Sequence, residues 1–350
     1  MFCNPLFLSD IFFCNSFLLF LLQMKYQIVL YGATTRIGRI ATKYLADWYG
    51  NSVRWAIAAQ DDDVFMVGEN EGAGHPDVIQ PGADQLGLLC TTTRVIANAS
   101  SDDDLLQEAR NKCHYCDIST DHPLISSSLF AVVYGCTETV VPWDLSVLVL
   151  SKHLQSTGES LVSVDFYNDG GDNVRHTRPK VTTKYSNFTD NSVKKISRKC
   201  SYKVSPPSSL ISEVRYRSPM AKTRAQVVAH SNHHNHYGFH VSYTEGNLAS
   251  SVFWACVRLV HTRKKPKQLV LTGVAVGHGG TQFKSTFVFL ATNQTARILV
   301  ETAMVLLFDG GNRVSGIHTP ATVGGSKLLK RLVKDQNTFF ECVKMTPPPE

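Results

Sequence analysis

The chain is predicted to be α/β, with a doubly wound parallel sheet followed by a second α+β domain built on a mainly antiparallel sheet. Three observations carry this reading. Between residues 26 and about 155, short apolar runs alternate with helical patterns, as strands and crossover helices of a parallel sheet do. A glycine-bounded turn, Gly32 to Gly38, joins the first run to the first helix. Beyond about residue 155 the texture changes to polar–apolar alternation and polar loops, the pattern of strands with one wet face.

In order along the chain, Tyr26–Tyr31 (YQIVLY) is a short apolar run ended by Gly32, like a parallel strand buried on both faces. Thr34 and Thr35 are placed to cap a helix carrying Ile37, Ile40, Ala41, Tyr44 and Leu45 at helical spacing. Arg54–Ala59 reads as a second strand, closed by Gln60 and three aspartates, and residues 68–85 read as loop. Arg94–Ala99, His114–Ile118 and Leu129–Cys136 are further strands. Between the first two of these, Leu105, Leu106 and Ala109 share a helical face. Pro142 with Asp144 in the first turn opens a helix through Leu154.

Residues 161–245 read as an antiparallel sheet with long loops, and Leu269–Val276 and Phe283–Leu290 as two strands joined by a turn at His278-Gly279-Gly280. Asn293–Phe308 reads as an amphipathic helix. The organisation expected is an apolar leader or upstream extension (1–24), a dinucleotide-type domain (25–155), an α+β domain (156–292) and C-terminal helices (293–350). Residues 1–23 are apolar, contain no Lys or Arg, and are interrupted by Asn4, Pro5, Asp10 and Asn15. An interfacial anchor, a poor secretory signal and an extension before Met24 all stay open.

A chain of 350 residues with 43% hydrophobic and 18% charged content is globular and long enough for about two domains. A net charge of +6 falls short of the footprint of a nucleic-acid binder, so no nucleic-acid partner is expected. The nine cysteines follow no framework spacing and are expected to be reduced thiols in an intracellular compartment.

The turn Gly32-Ala33-Thr34-Thr35-Arg36-Ile37-Gly38 is the sharpest candidate site. Backbone amides at a strand-to-helix turn, aided by the helix dipole, face an anion and can seat a pyrophosphate. About 20 residues on, Gln60 and Asp61 stand where the second strand meets an adenosine ribose. A carboxylate accepts from a 2′-hydroxyl and repels a 2′-phosphate, so charge favours NAD over NADP. An ordinary strand-turn-helix and a solvated acidic turn are the plainer alternatives. The tract His230-Ser-Asn-His-His-Asn-His236 reads as a surface loop, and no metal site is expected. Leu248–Val260, followed by Arg263, Lys264, Lys265 and Lys267, is too short to span a bilayer. It reads as a core helix or as a wedge for a membrane or lipid-droplet surface.

Several segments resemble one family. Tyr26–Arg39 (YQIVLYGATTRIGR) is similar to the first strand, loop and helix of saccharopine dehydrogenase-like oxidoreductases and the related trans-acting enoyl reductases. Trp55–Asp61 (WAIAAQD), His114–Thr120 (HYCDIST) and Tyr134–Leu145 (YGCTETVVPWDL) resemble later segments in the same order. Thr295–Leu307 and Gly316–Leu332 (GIHTPATVGGSKLLKRL) resemble the closing helix and its sequel. The resemblance implies a Rossmann-type domain and hydride transfer with NAD or NADP on a lipid-linked or small carbonyl or enoyl substrate. It also implies C-terminal helices that return to the first domain. A homodimer and a cytoplasmic or peripherally membrane-associated location are expected. Departures fall on the ligand loops. Thr35 replaces the central glycine and Ala59-Gln60 a Gly-Arg pair. Asn98-Ala99-Ser100-Ser101 replaces a longer Asn-x-x-Gly-Pro-Tyr loop, and Ser119-Thr120-Asp121 a Thr-Gly-Glu. The alternative is an inactive scaffold of the same fold; no catalytic acid is assigned.

Overall fold

The computed structural model describes residues 24–69, 76–100, 103–121, 128–168, 214–216, 218, 220–249, 268–290, 294–310 and 314–346. Seven parallel strands form the first sheet: β1 (Tyr26–Tyr31), β2 (Trp55–Ala58), β3 (Asp77–Ile79), β4 (Thr93–Asn98), β5 (His114–Asp117), β6 (Ala131–Val133) and β12 (Gly316–His318), in the order β12-β6-β5-β4-β1-β2-β3. Four of the six residues of β1 are buried consecutively, because helices cover both faces of a parallel sheet. The helices of this part are α1 (Arg36–Tyr49), α2 (Asp63–Glu69), α3 (Leu86–Thr91), α4 (Asp103–Ala109) and α5 (Val141–Ser156). Strand order reverses between β1 and β4, the switch point at which an open α/β sheet leaves a crevice.

The second sheet has six strands: β7 (Leu161–Asn168), β8 (Val214–Tyr216), β9 (Ser242–Ala249), β10 (Leu269–Gly277), β11 (Gln282–Phe289) and β13 (Thr338–Lys344), ordered β13-β11-β10-β7-β9-β8. The pairing is antiparallel except between β7 and β9. That parallel pair needs a crossover, and helix α6 (Ala221–Asn235) lies in the chain between β8 and β9. The reading of residues 161–245 as an antiparallel sheet with long loops is thus corrected over Ala221–Asn235: the histidine-rich tract is the end of a helix, not a surface loop. Its burial explains why hydropathy missed it. Arg224 and Ser231 are as buried as Val227 and Val228, and Asn232 is buried too, so no polar face marks the period. The loop expected over residues 68–85 likewise contains β3, a three-residue edge strand too short to show alternation.

Helices α7 (Gln294–Phe308) and α8 (Pro320–Leu332) follow β11. α7 is not amphipathic: every residue from Gln294 to Leu307 except Thr295 is buried, as the helix packs on α1 and β4 and beneath α8. Its polar side chains have partners. Glu301 accepts hydrogen bonds from Tyr44 (2.6 Å) and Tyr49 (2.8 Å) and pairs with Arg331 at 3.3 Å; Arg297 pairs with Asp335 at 2.9 Å. The chain then adds β12 to the first sheet and β13 to the second. Asp144, in the first turn of α5 as expected, is fully buried. It accepts from Ser231 Oγ at 2.5 Å and from the Ala321 amide at 3.0 Å, tying α5 to α6 and to the amino end of α8. Burial pushes its carboxyl up to about 6.

Candidate functional site

The β1–α1 turn is built on two glycines. Gly32 has φ +76°, a left-handed conformation, and a Cβ there would lie 2.9 Å from the Ser100 amide nitrogen. A Cβ on Gly38 would lie 2.0 Å from the Gly32 carbonyl oxygen, so glycine alone lets α1 start this close to β1. Thr35 is the helix N-cap. Its hydroxyl accepts from the Gly38 amide at 2.9 Å and donates to the Ala99 carbonyl at 3.1 Å. The residue replacing the central glycine therefore takes up one amide of the phosphate-type turn and ties the turn to the end of β4.

Over this turn lies a cleft of about 580 Å³, lined by Tyr31, Gly32, Thr34, Thr35, Ala59, Gln60, Asp61, Ser100, Asp103 and Asp104. It sits at the carboxyl ends of β1, β2 and β4, beside the switch point. Of the sequence-derived candidates, Gly32, Thr34, Thr35, Gln60, Asp61 and Ser100 line it. Ala33, Gly38, Asn98 and Ala99 are buried outside the lining, where they shape it, and Ile37 is half-buried. Arg36 stands exposed outside it. Asn98 donates to Tyr115 Oη at 2.7 Å and accepts from the Ser100 amide at 2.8 Å and its hydroxyl at 2.7 Å, which holds the loop after β4 in shape.

Among the described residues, three carboxylates, those of Asp61, Asp103 and Asp104, line the cleft, and no Lys or Arg does. Asp61 accepts from Thr34 Oγ1 at 2.8 Å. Sequence reasoning missed Asp103 and Asp104; the signal was the Ser-Asp-Asp-Asp run after β4, which parallels the aspartates after β2. A further carboxyl lies one strand away. Asp117 ends β5 opposite Asn98, is buried, and accepts from the Ser119 amide at 3.1 Å. Burial pushes it up to about 7, within the range of a proton-transfer group at neutral pH.

The histidines of α6 meet the outer end of the same sheet. Tyr134, just after β6, bonds His230 Nδ1 through its hydroxyl at 3.0 Å. His230 Nε2 lies 3.2 Å from His234 Nε2, and the His234 ring is 5.2 Å from that of His318, the last residue of β12. Among the described residues, no group of three or more His, Cys, Asp or Glu side chains is arranged to hold a metal ion. Also among the described residues, no helix is long and apolar enough to cross a membrane. Residues 250–267, most of the apolar stretch read as a core helix or membrane wedge and the basic run after it, lie outside the described residues.

No family model matches the chain, and a comparison with curated proteins finds no match. Among solved structures it is similar to apo saccharopine dehydrogenase (L-Glu forming) from Saccharomyces cerevisiae, at 11% identity and a TM-score of 0.56, over 92% of this chain and 100% of that one. The fold is that of saccharopine dehydrogenase. Homospermidine synthase from Legionella pneumophila, solved with NAD, is similar at 11% identity over 92% of each chain, with a TM-score of 0.49. A levoglucosan dehydrogenase solved with NADH and levoglucosan has 9% identity and a TM-score of 0.39, over 91% of this chain and 99% of that one.

Proposed function

We propose that the chain is an oxidoreductase that binds NAD(H) in the cleft over Gly32–Gly38. The observation that carries this is the joint placement of the left-handed Gly32, the Cβ-intolerant Gly38 and Asp61 around one open crevice at the sheet's switch point. These residues fit a dinucleotide. The turn would offer helix-terminal amides to a diphosphate, and Asp61, which accepts from Thr34, would accept from a ribose 2′-hydroxyl. Ser100 lines the wall beyond β4, with Asn98 and Ala99 packed behind it. Three carboxylates disfavour a 2′-phosphate, hence NAD over NADP. The nicotinamide would supply or accept the hydride; the protein binds, orients and excludes water. The family resemblance adds a lipid-linked or small carbonyl or enoyl compound as the substrate class.

A second reading, a catalytically inactive scaffold of the same fold, has its own support: the Thr35 hydroxyl occupies the Gly38 amide, and the cleft has an acidic lining. Titrating the purified chain with NADH and NADPH, followed by nicotinamide fluorescence, separates the two. The oxidoreductase reading requires saturable NADH binding, with NADPH weaker by roughly tenfold or more, about 1.4 kcal/mol. If neither nucleotide binds at millimolar concentration, the scaffold reading stands.

A further inference from the structure

We propose that His230 and His234 form a binding site for one divalent transition-metal ion, of the zinc or nickel class, at the carboxyl end of α6. The site is separate from the dinucleotide cleft and independent of the oxidoreductase reading. The two histidines are four residues apart on one helix, the spacing that sets two imidazoles on one face. Their Nε2 atoms are 3.2 Å apart and the ring centroids 5.0 Å apart. Two nitrogens each about 2.0–2.1 Å from a common ion are about 2.9–3.4 Å apart at octahedral to tetrahedral angles. The nitrogens are therefore already at chelating separation, with no backbone movement required.

The surroundings match a ligand pair in a second way. A metal-bound imidazole uses its other nitrogen as a donor to a fixed partner, which sets tautomer and ring orientation. Tyr134 Oη, 3.0 Å from His230 Nδ1, is such a partner, anchored at the end of β6. With Nδ1 protonated, His230 donates to the Tyr134 oxygen and turns its Nε2 lone pair toward His234. His230 is 7% exposed, whereas His234 is on the surface, so an ion reaches the pair from solvent and completes its shell with water. His318 is not counted as a ligand, because its nitrogens lie 3.0 Å from the Ser315 carbonyl and 3.2 Å from Thr322 Oγ1. Nitrogen-only ligation selects zinc, nickel or copper over magnesium or calcium.

The test is calorimetric titration of the untagged, chelator-stripped full chain with ZnCl2 and NiCl2, alongside H234A, H233A and Y134F. His234 and His233 are both exposed, so their alanine variants are expected to fold; equal melting curves without metal verify this. The proposal predicts one saturable site that is lost in H234A at concentrations saturating the wild type and kept in H233A. Y134F should weaken it by about tenfold or more. Cobalt substitution should give ligand-field bands without thiolate charge-transfer absorption. No saturable binding, binding unchanged in H234A, or a thiolate spectrum would each overturn the assignment.

Discussion

Replacing Thr35 by glycine should tighten NADH binding, contrary to the usual result of removing a polar side chain from a site. The Thr35 hydroxyl makes two hydrogen bonds, to the Gly38 amide at 2.9 Å and to the Ala99 carbonyl at 3.1 Å. Glycine is nearly as good an N-cap as threonine, so cap loss costs only a few tenths of a kcal/mol. Losing the bond to Ala99 adds about 1 kcal/mol. Both losses fall on the stability of the free and the bound chain alike; for the binding step the Gly38 amide becomes available to a phosphate oxygen, and a hydrogen bond to a charged group contributes about 1.5–3 kcal/mol. That corresponds to roughly tenfold or more in affinity. Nicotinamide fluorescence gives the dissociation constant, and a melting curve checks that the variant is folded. A folded Thr35→Gly chain binding NADH no more tightly than wild type would refute the argument that the cap competes with the diphosphate.

Gly38→Ala should destabilise the first domain by about 3 kcal/mol, since its Cβ lies 2.0 Å from a backbone oxygen in a tightly packed place; chemical denaturation measures it, and a change under 1 kcal/mol would count against the close-approach argument. Arg224 and Glu245, paired at 2.9 Å and each 2% exposed, with the guanidinium 3.4 Å from the Trp143 ring, should behave as a buried unit. Arg224→Met should cost about 3–5 kcal/mol by removing the cationic half of a buried ion pair, and Arg224→Met with Glu245→Met less than the single change, in a double-mutant cycle of unfolding. Asp117, raised from 3.8 to about 7, keeps its proton in the folded chain over a range where the unfolded chain has lost it. The unfolded state then binds fewer protons, so this group's contribution to stability falls as pH rises from about 4 to 7. Over that window Asp117→Asn should lessen the decline by up to about 4 kcal/mol, seen in denaturation curves at several pH values.

Most of the first domain was legible because parallel strands buried on both faces leave uninterrupted apolar runs. Tyr26–Tyr31 is a strand over its whole expected length, and Arg54–Ala59, Arg94–Ala99 and His114–Ile118 each lose only a terminal residue or two. What was illegible shares a physical cause. α6 buries polar residues against specific partners, Arg224 on Glu245, and such pairing erases the polar face that betrays a helix; α7, legible as a helix, buries Glu301 on two tyrosines in the same way, so only its amphipathic reading failed. β3 gains its place by adding to the edge of β2, a long-range pairing invisible locally. At the site, the glycine turn and Asp61 were readable from spacing. The neighbouring Asp103 and Asp104 and the raised Asp117 depend on strands brought together by the sheet order.

The claim on which the functional account depends is that the Gly32–Gly38 turn and its opposite wall receive the dinucleotide. Amide hydrogen exchange of the full chain, with and without saturating NADH, tests it directly. The account predicts slowed exchange in peptides covering residues 31–39 and 98–104. Slowing confined to other segments, or none at all, would contradict it.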